Sequence, residues 1–178
     1  TWDFSELETN SNFVGSIHSS AIAECNTAFP NANTVLEEFG TYFAFNASNE
    51  KLEQYGLITQ TGQTQIRYTV PFVKMKYPFT YGSSFSGKFE GEYVSQGKAI
   101  GQITGSYTVS GDATGTLKLP NGKEIQGALR VKEIRATQQT INNTTVKTED
   151  VTYRWYTQNH RFPVLVLIKS THTAQNGT

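Results

Sequence analysis

The chain has 178 residues, enough for one domain that buries about 70% of the surface its unfolded form would expose. Only 17% of them are charged, against about 25% in a typical globular domain, and Thr, Ser, Asn, Gln and Gly take their place. That balance favours strands and turns over long surface helices, and equal numbers of acidic and basic residues leave no basic stripe for nucleic acid and no cationic segment for a membrane surface.

The chain opens at Thr1 with neither an initiator Met nor a leader, and is read as residues 1–178 of a longer processed precursor, forming one domain. Asp3, Glu6 and Glu8 near the start are expected to be solvated. Cys25 is the only cysteine, which excludes an intrachain disulfide, a Cys-rich zinc site and CxxC redox chemistry; it is expected to be a buried small side chain. In "NTVLEEFG", Thr34 and Glu37 have capping-box spacing and Gly40 supplies a stop, so one short helix is predicted there and at most one in the chain.

From Gln65 onward apolar residues alternate. Ile66, Tyr68, Val70 and Phe72 fall on one face of a predicted strand, with Arg67 and Thr69 on the other. Tyr77, Phe79 and Tyr81 alternate around Pro78 and are assigned to the core, because a 37% hydrophobic content leaves aromatics to supply much of the buried area. Ile100 is out of phase with Ile103, Tyr107 and Val109, which predicts a bulge near Gly101. "LPNGK" places Pro120, Asn121 and Gly122 in a tight turn between two strands. Leu129 and Val131 are expected to face in, Arg130 and Lys132 out, and Gln138 to Asp150 is expected to form a hairpin tip. In "VTYRWY", Val151, Tyr153 and Trp155 share a face, with Arg154 on the wet side. The apolar run Phe162–Ile168 is too short to span a bilayer, and its last five residues are expected to be covered on both faces. The tail from Thr171 is expected to fray. The fold class is therefore all-β: a curved antiparallel sheet arranged as a sandwich or partly open barrel.

Catalytic signatures are missing. His18, His160 and His172 lack metal-ligand spacing, and no HExxH, GxSxG, P-loop or GxGxxG occurs, so no catalytic residue, metal or cofactor is assigned. Glu149 and Asp150, being adjacent, point to opposite faces of a strand, although carboxylates widely separated in sequence leave a hydrolase as one alternative. The favoured contact surface is Trp155, Tyr156, His160 and Arg161. Trp155 and Tyr156 face opposite sides of their strand, which puts one of them at the surface, and "QNHRFP" is a polar corner where side chains can converge.

Taken in order, "TWDFSEL", "AFPNAN", "YPFTYGSSF", "GTLKLPNG…LRVK" and "YRWY…RFPVLVL" resemble uncharacterised secreted proteins of Bacteroidetes that carry a sorting tail for type IX secretion. The resemblance implies an exported, β-rich domain at the cell surface, in the medium or in the periplasm, and carries no catalytic residues with it. The functional expectation is a binding or surface-interaction domain for a glycan or a protein. The alternatives are a barrel or half-barrel carrier of a hydrophobic small molecule, and the hydrolase.

Overall fold

A computed structural model describes residues 1–8, 14–19, 23–120, 122–158 and 160–175. Asn121 of the predicted turn and Asn159 of the polar corner lie outside them. In chain order the elements are β1 (Trp2–Asp3), β2 (Ser16–His18), α1 (Ala23–Ala28), β3 (Thr34–Glu38), β4 (Thr41–Ala47), β5 (Lys51–Thr59), β6 (Thr64–Lys76), β7 (Ser84–Ser95), β8 (Lys98–Lys118), β9 (Glu124–Ile141), β10 (Thr144–Tyr156) and β11 (Leu165–Gln175). Strands β2 to β11 form one antiparallel meander in sequence order, curled into a half-barrel, and β1 runs parallel to the end of β8.

Turn chemistry sets much of this register. Asn142 and Asn143 both have positive φ, the two-residue hairpin geometry whose twist matches the β9–β10 ladder on either side. Gly122 takes φ +73 and closes the β8–β9 turn by donating its N–H to the Leu119 carbonyl at 3.0 Å. The bulge expected near Gly101 falls on its neighbour Ile100, where Tyr93 pairs with Gly101 but Val94 pairs with Ala99.

The short helix is displaced from its predicted place. Thr34 and Glu37 lie in β3, a strand between β2 and β4, with Val35 buried against Ala44, Ile58 and Phe29. Two turns of helix are marginal in isolation, and a central strand position outweighs the capping box. The helix that does form, α1, buries Cys25 and leads to Phe29 in that same small core, as expected for a cysteine that packs as a small hydrophobe.

Strand β6 makes the corner of the half-barrel. Its first part pairs with β7 as far as Val70, opposite Glu90. After Pro71 it leaves β7, and Phe72–Lys76 pair only with Lys51–Gln54 of β5. This second part crosses over the inner face of the sheet. Phe72 stacks on Phe89 of β7 at 5.0 Å and meets Tyr107 of β8 at 4.6 Å, and the Val73 N–H donates to the Tyr107 hydroxyl at 3.2 Å. Gly87 and Gly105 make the approach possible, since a Cβ on either would strike Tyr107 or Phe89 at 2.3 Å. The bend also breaks the alternation expected for β6: Val70 turns outward while Phe72 is sealed inside. Phe85, Phe89 and Tyr93 share the inner face of β7 with this main core, which also holds Phe45, Leu52, Met75, Val109 and Val131.

A second core lies on the other face of β8–β10. There Trp155, Leu117 and Ala128 are covered by Trp2, Phe4, Tyr153, Leu165 and Leu167. Strand β11 is the edge of the sheet, so the double coverage expected for Val164–Ile168 does not occur: Val166 and Ile168 are exposed, Ile168 by 62%. The strand continues to Gln175, so Thr171–Gln175 are paired with β10 where fraying was expected.

Candidate functional site

Two polar constellations sit within this frame, one inside the half-barrel and one at its end. The first begins with a bulge. Leu52 of β5 pairs with Met75 of β6 and Glu53 pairs with Val73, which leaves Lys74 as the extra residue, turned into the interior. Glu133 of β9, with no exposure at all, accepts from Arg154 Nη1 at 2.9 Å and Nη2 at 3.4 Å, and Lys74 Nζ stands 3.7 Å from the same carboxylate. Two residue pairs along the ladder, Arg135 donates through Nε and Nη2 to Asp150, which also accepts from the Ser170 hydroxyl. Burial alone would raise the Glu133 pKa, but Lys74 and Arg154 outweigh it and hold the carboxyl at about 2. Burial, with repulsion from Arg154 and Arg135, brings Lys74 down to about 7 against the pull of Glu133. Asp150 is likewise held below its ordinary value: its hydrogen bonds from Ser170 and Arg135 overcome the opposing effect of burial. Both carboxyls thus stay ionised. Neither has the raised pKa of a glycosidase general acid.

The second constellation is a half-enclosed cavity of about 210 Å³ at the end of the half-barrel, lined by Met75, Tyr77, Phe79, Gly127, Leu129, Tyr156, Thr157, Gln158 and His160. It exists because the β10–β11 connection folds back over the core. Val164 N–H returns to the Trp155 carbonyl at 2.8 Å, Phe162 packs edge-on against Phe45 at 5.6 Å, and Arg161 Nη1 donates to the Ser48 carbonyl at 2.7 Å. The Arg161 guanidinium also lies 5.2 Å over the Tyr77 ring. Tyr77, which precedes Pro78 through a cis peptide bond, and Tyr156 supply aromatic walls. Two buried hydroxyls, Tyr77 Oη and Thr157 Oγ1, make no hydrogen bond among the described residues. Burial raises the Tyr156 phenol to about 12 and pushes Tyr77 up as well, so both hydroxyls are neutral donors and acceptors at physiological pH.

Of the four residues singled out from the sequence, Tyr156 and His160 line this cavity. Arg161 stands behind its wall as the tie to Ser48. Trp155 is elsewhere. It is 2% exposed on the opposite face, with Trp2 and Phe4 edge-on to it at 5.9 and 5.3 Å. Alternation correctly separated Trp155 from Tyr156 but could not show that the N-terminal segment would cover the tryptophan. Among the aromatics assigned to the core, Tyr77 and Phe79 pack against it, whereas Tyr81 is 67% exposed at the turn before β7. Arg154, assigned to the wet face, is inward and ion-paired. Sequence reading missed Lys74 and Glu133, and had Gln158 only as part of the polar corner. The one available signal was Glu133 in phase with Leu129 and Val131, a charge where the pattern called for an apolar residue.

Broader clefts of about 430 and 460 Å³ lie on the outer face among Lys88, Ser106, Thr108, Ala136, Lys147 and Glu149. They are shallow grooves between short side chains, with no aromatic wall of their own on that face. Among the described residues no three of His, Cys, Asp and Glu gather where a metal ion could be held, and no helix is long and apolar enough to cross a membrane. No family model, curated protein or solved structure matches the chain.

Proposed function

We propose that the chain is an exported binding domain that holds a sugar unit of a glycan in the cavity at the end of the half-barrel. The observation that carries this reading is the pairing of aromatic walls, Tyr77 and Tyr156, with two buried hydroxyls, Tyr77 Oη and Thr157 Oγ1, that meet no hydrogen-bonding geometry among the described residues. A pyranose presents apolar C–H faces that pack on aromatic rings and hydroxyls that hydrogen-bond at its edge. A buried hydroxyl left unpaired costs about 1–3 kcal/mol, which a ligand hydroxyl would recover. Gln158 and His160, both exposed at the mouth, offer further polar contacts without supporting the core. Binding is favoured over hydrolysis because the interior carboxyls are held ionised in pairs with arginine. It is favoured over transport of a hydrophobic molecule because Phe72, Phe89 and Tyr107 occupy the interior that such cargo would need.

A glycan array probed with the intact domain tests the proposal. Expected is a discrete set of glycans sharing one terminal or internal sugar. Binding should fall at least tenfold in Gln158→Ala with His160→Ala, and the double variant should keep the parent melting temperature. An array without hits, or hits unaffected by these changes and by Thr157→Val, would remove the cavity from consideration.

A further inference from the structure

The interior cluster has one cation too many. Glu133 is taken by both terminal nitrogens of Arg154, and Asp150 by Arg135 and Ser170. Lys74 is left at 3.7 Å from a carboxylate that already has its partner, beyond hydrogen-bonding distance, with its Nζ 4.0 Å over the Phe72 ring. Arg135 shares that ring at 5.6 Å. The Lys74 side chain keeps 17% exposure, so it is not wholly closed off from solvent. A bulge, which re-aims a single side chain out of the ladder, is what places it there.

We propose that Lys74 is a covalent capture site for small aldehydes or ketones that carry a carboxylate. The nitrogen lone pair attacks the carbonyl carbon to give a carbinolamine. Loss of water, its oxygen from the carbonyl and its two hydrogens from the amine, then leaves an imine, with no net oxidation or reduction. The chemistry requires a neutral amine. The groups that face Lys74, namely Phe72 on its own strand, Glu133 and Arg135 on β9 and Arg154 on β10, include more positive than negative charge, and together with burial they make the neutral form available near neutrality. The same surplus favours an anionic partner: Arg135 commits two of its three nitrogens, Nε and Nη2, to Asp150.

The test uses the intact domain with glyoxylate and cyanoborohydride. The borohydride reduces the imine to a stable secondary amine, and peptide mass spectrometry locates it. Lys74 is expected to be modified at least tenfold faster than Lys88, Lys98, Lys147 and Lys169, which are exposed. Its rate should climb between pH 6 and 8, where ordinary lysines remain protonated, and should fall when acetaldehyde replaces glyoxylate. Modification spread over the surface lysines with Lys74 spared would overturn the capture site. Equal rates for glyoxylate and acetaldehyde at Lys74 would overturn its selectivity for carboxylates. Neither result bears on glycan binding at the end cavity, which is read by a different assay.

Discussion

The two faces of the β9–β10 ladder invert the usual arrangement. On the inner face Glu133, Arg135, Asp150 and Arg154 carry charge into the protein, whereas on the outer face Ile134 stands 50% exposed beside Ala136. Only the ends of the ladder follow the ordinary rule, Val131 facing in, and the outer face is sealed only where Trp2 and Phe4 lie over Trp155. Hydrophobicity alone therefore does not choose the inner face of this sheet. The aromatic stack of Phe72, Phe89 and Tyr107 does, and the charges are drawn inside because they neutralise one another there.

The largest effect is expected on that stack. Phe72→Ala should cost about 3–5 kcal/mol, measured by urea denaturation, because Phe72 has no exposure and packs against the Phe89 and Tyr107 rings. Removing one member of the ionic cluster should be nearly as damaging: Glu133→Ala leaves Arg154 and Lys74 buried without a counter-ion, at about 3–5 kcal/mol. The triple change Lys74→Met, Glu133→Leu, Arg154→Met should instead be neutral or stabilising. A triple variant that loses as much as the single one would show that the cluster holds the two halves of the half-barrel together through more than charge balance.

A smaller effect should appear with pH. Lys74 titrates near 7 in the folded protein against 10.5 in the unfolded chain, so between those values the unfolded state binds the extra proton. Stability should then rise from pH 7 to 9 by on the order of 2 kcal/mol, and the rise should vanish in Lys74→Met. Above pH 10 the trend should reverse, because Tyr68 and Tyr156 stay protonated to about 12 when folded and the unfolded chain loses those protons first. At the acid end, stability from Glu133 is complete above 4.5 and is lost as pH falls toward 2. The smallest effect belongs to the outer face, where Ile134→Ser should change stability by no more than about 0.5 kcal/mol. A larger loss would mean that this face is covered in solution.

These contrasts also explain what the sequence could disclose. Period-two alternation and the Pro-Asn-Gly turn carried many of the strands and the all-β class, because those signals act over a few residues. The site depended on contacts between distant ones. Tyr156 and His160 were legible as a strand end and a polar corner, but the cavity needed Arg161 to reach Ser48, and no local pattern records that distance. Lys74 was illegible for a related reason: it stands in phase with Phe72, but no local pattern records that Glu133 and Arg154 wait there on other strands. Trp155 was misplaced because its cover comes from the far end of the chain.

That cover has a consequence for how the protein assembles. Every ladder from β2 to β11 joins consecutive strands, so the meander can grow hairpin by hairpin with short loops to close. The pairing of Trp2 with Leu117 is the exception, and it spans most of the sequence. The segment that holds Trp2 must therefore be among the last to find its place, although it precedes its partner in the chain. Until Trp155 arrives to receive them, Trp2 and Phe4 remain two exposed aromatics that a chaperone could hold.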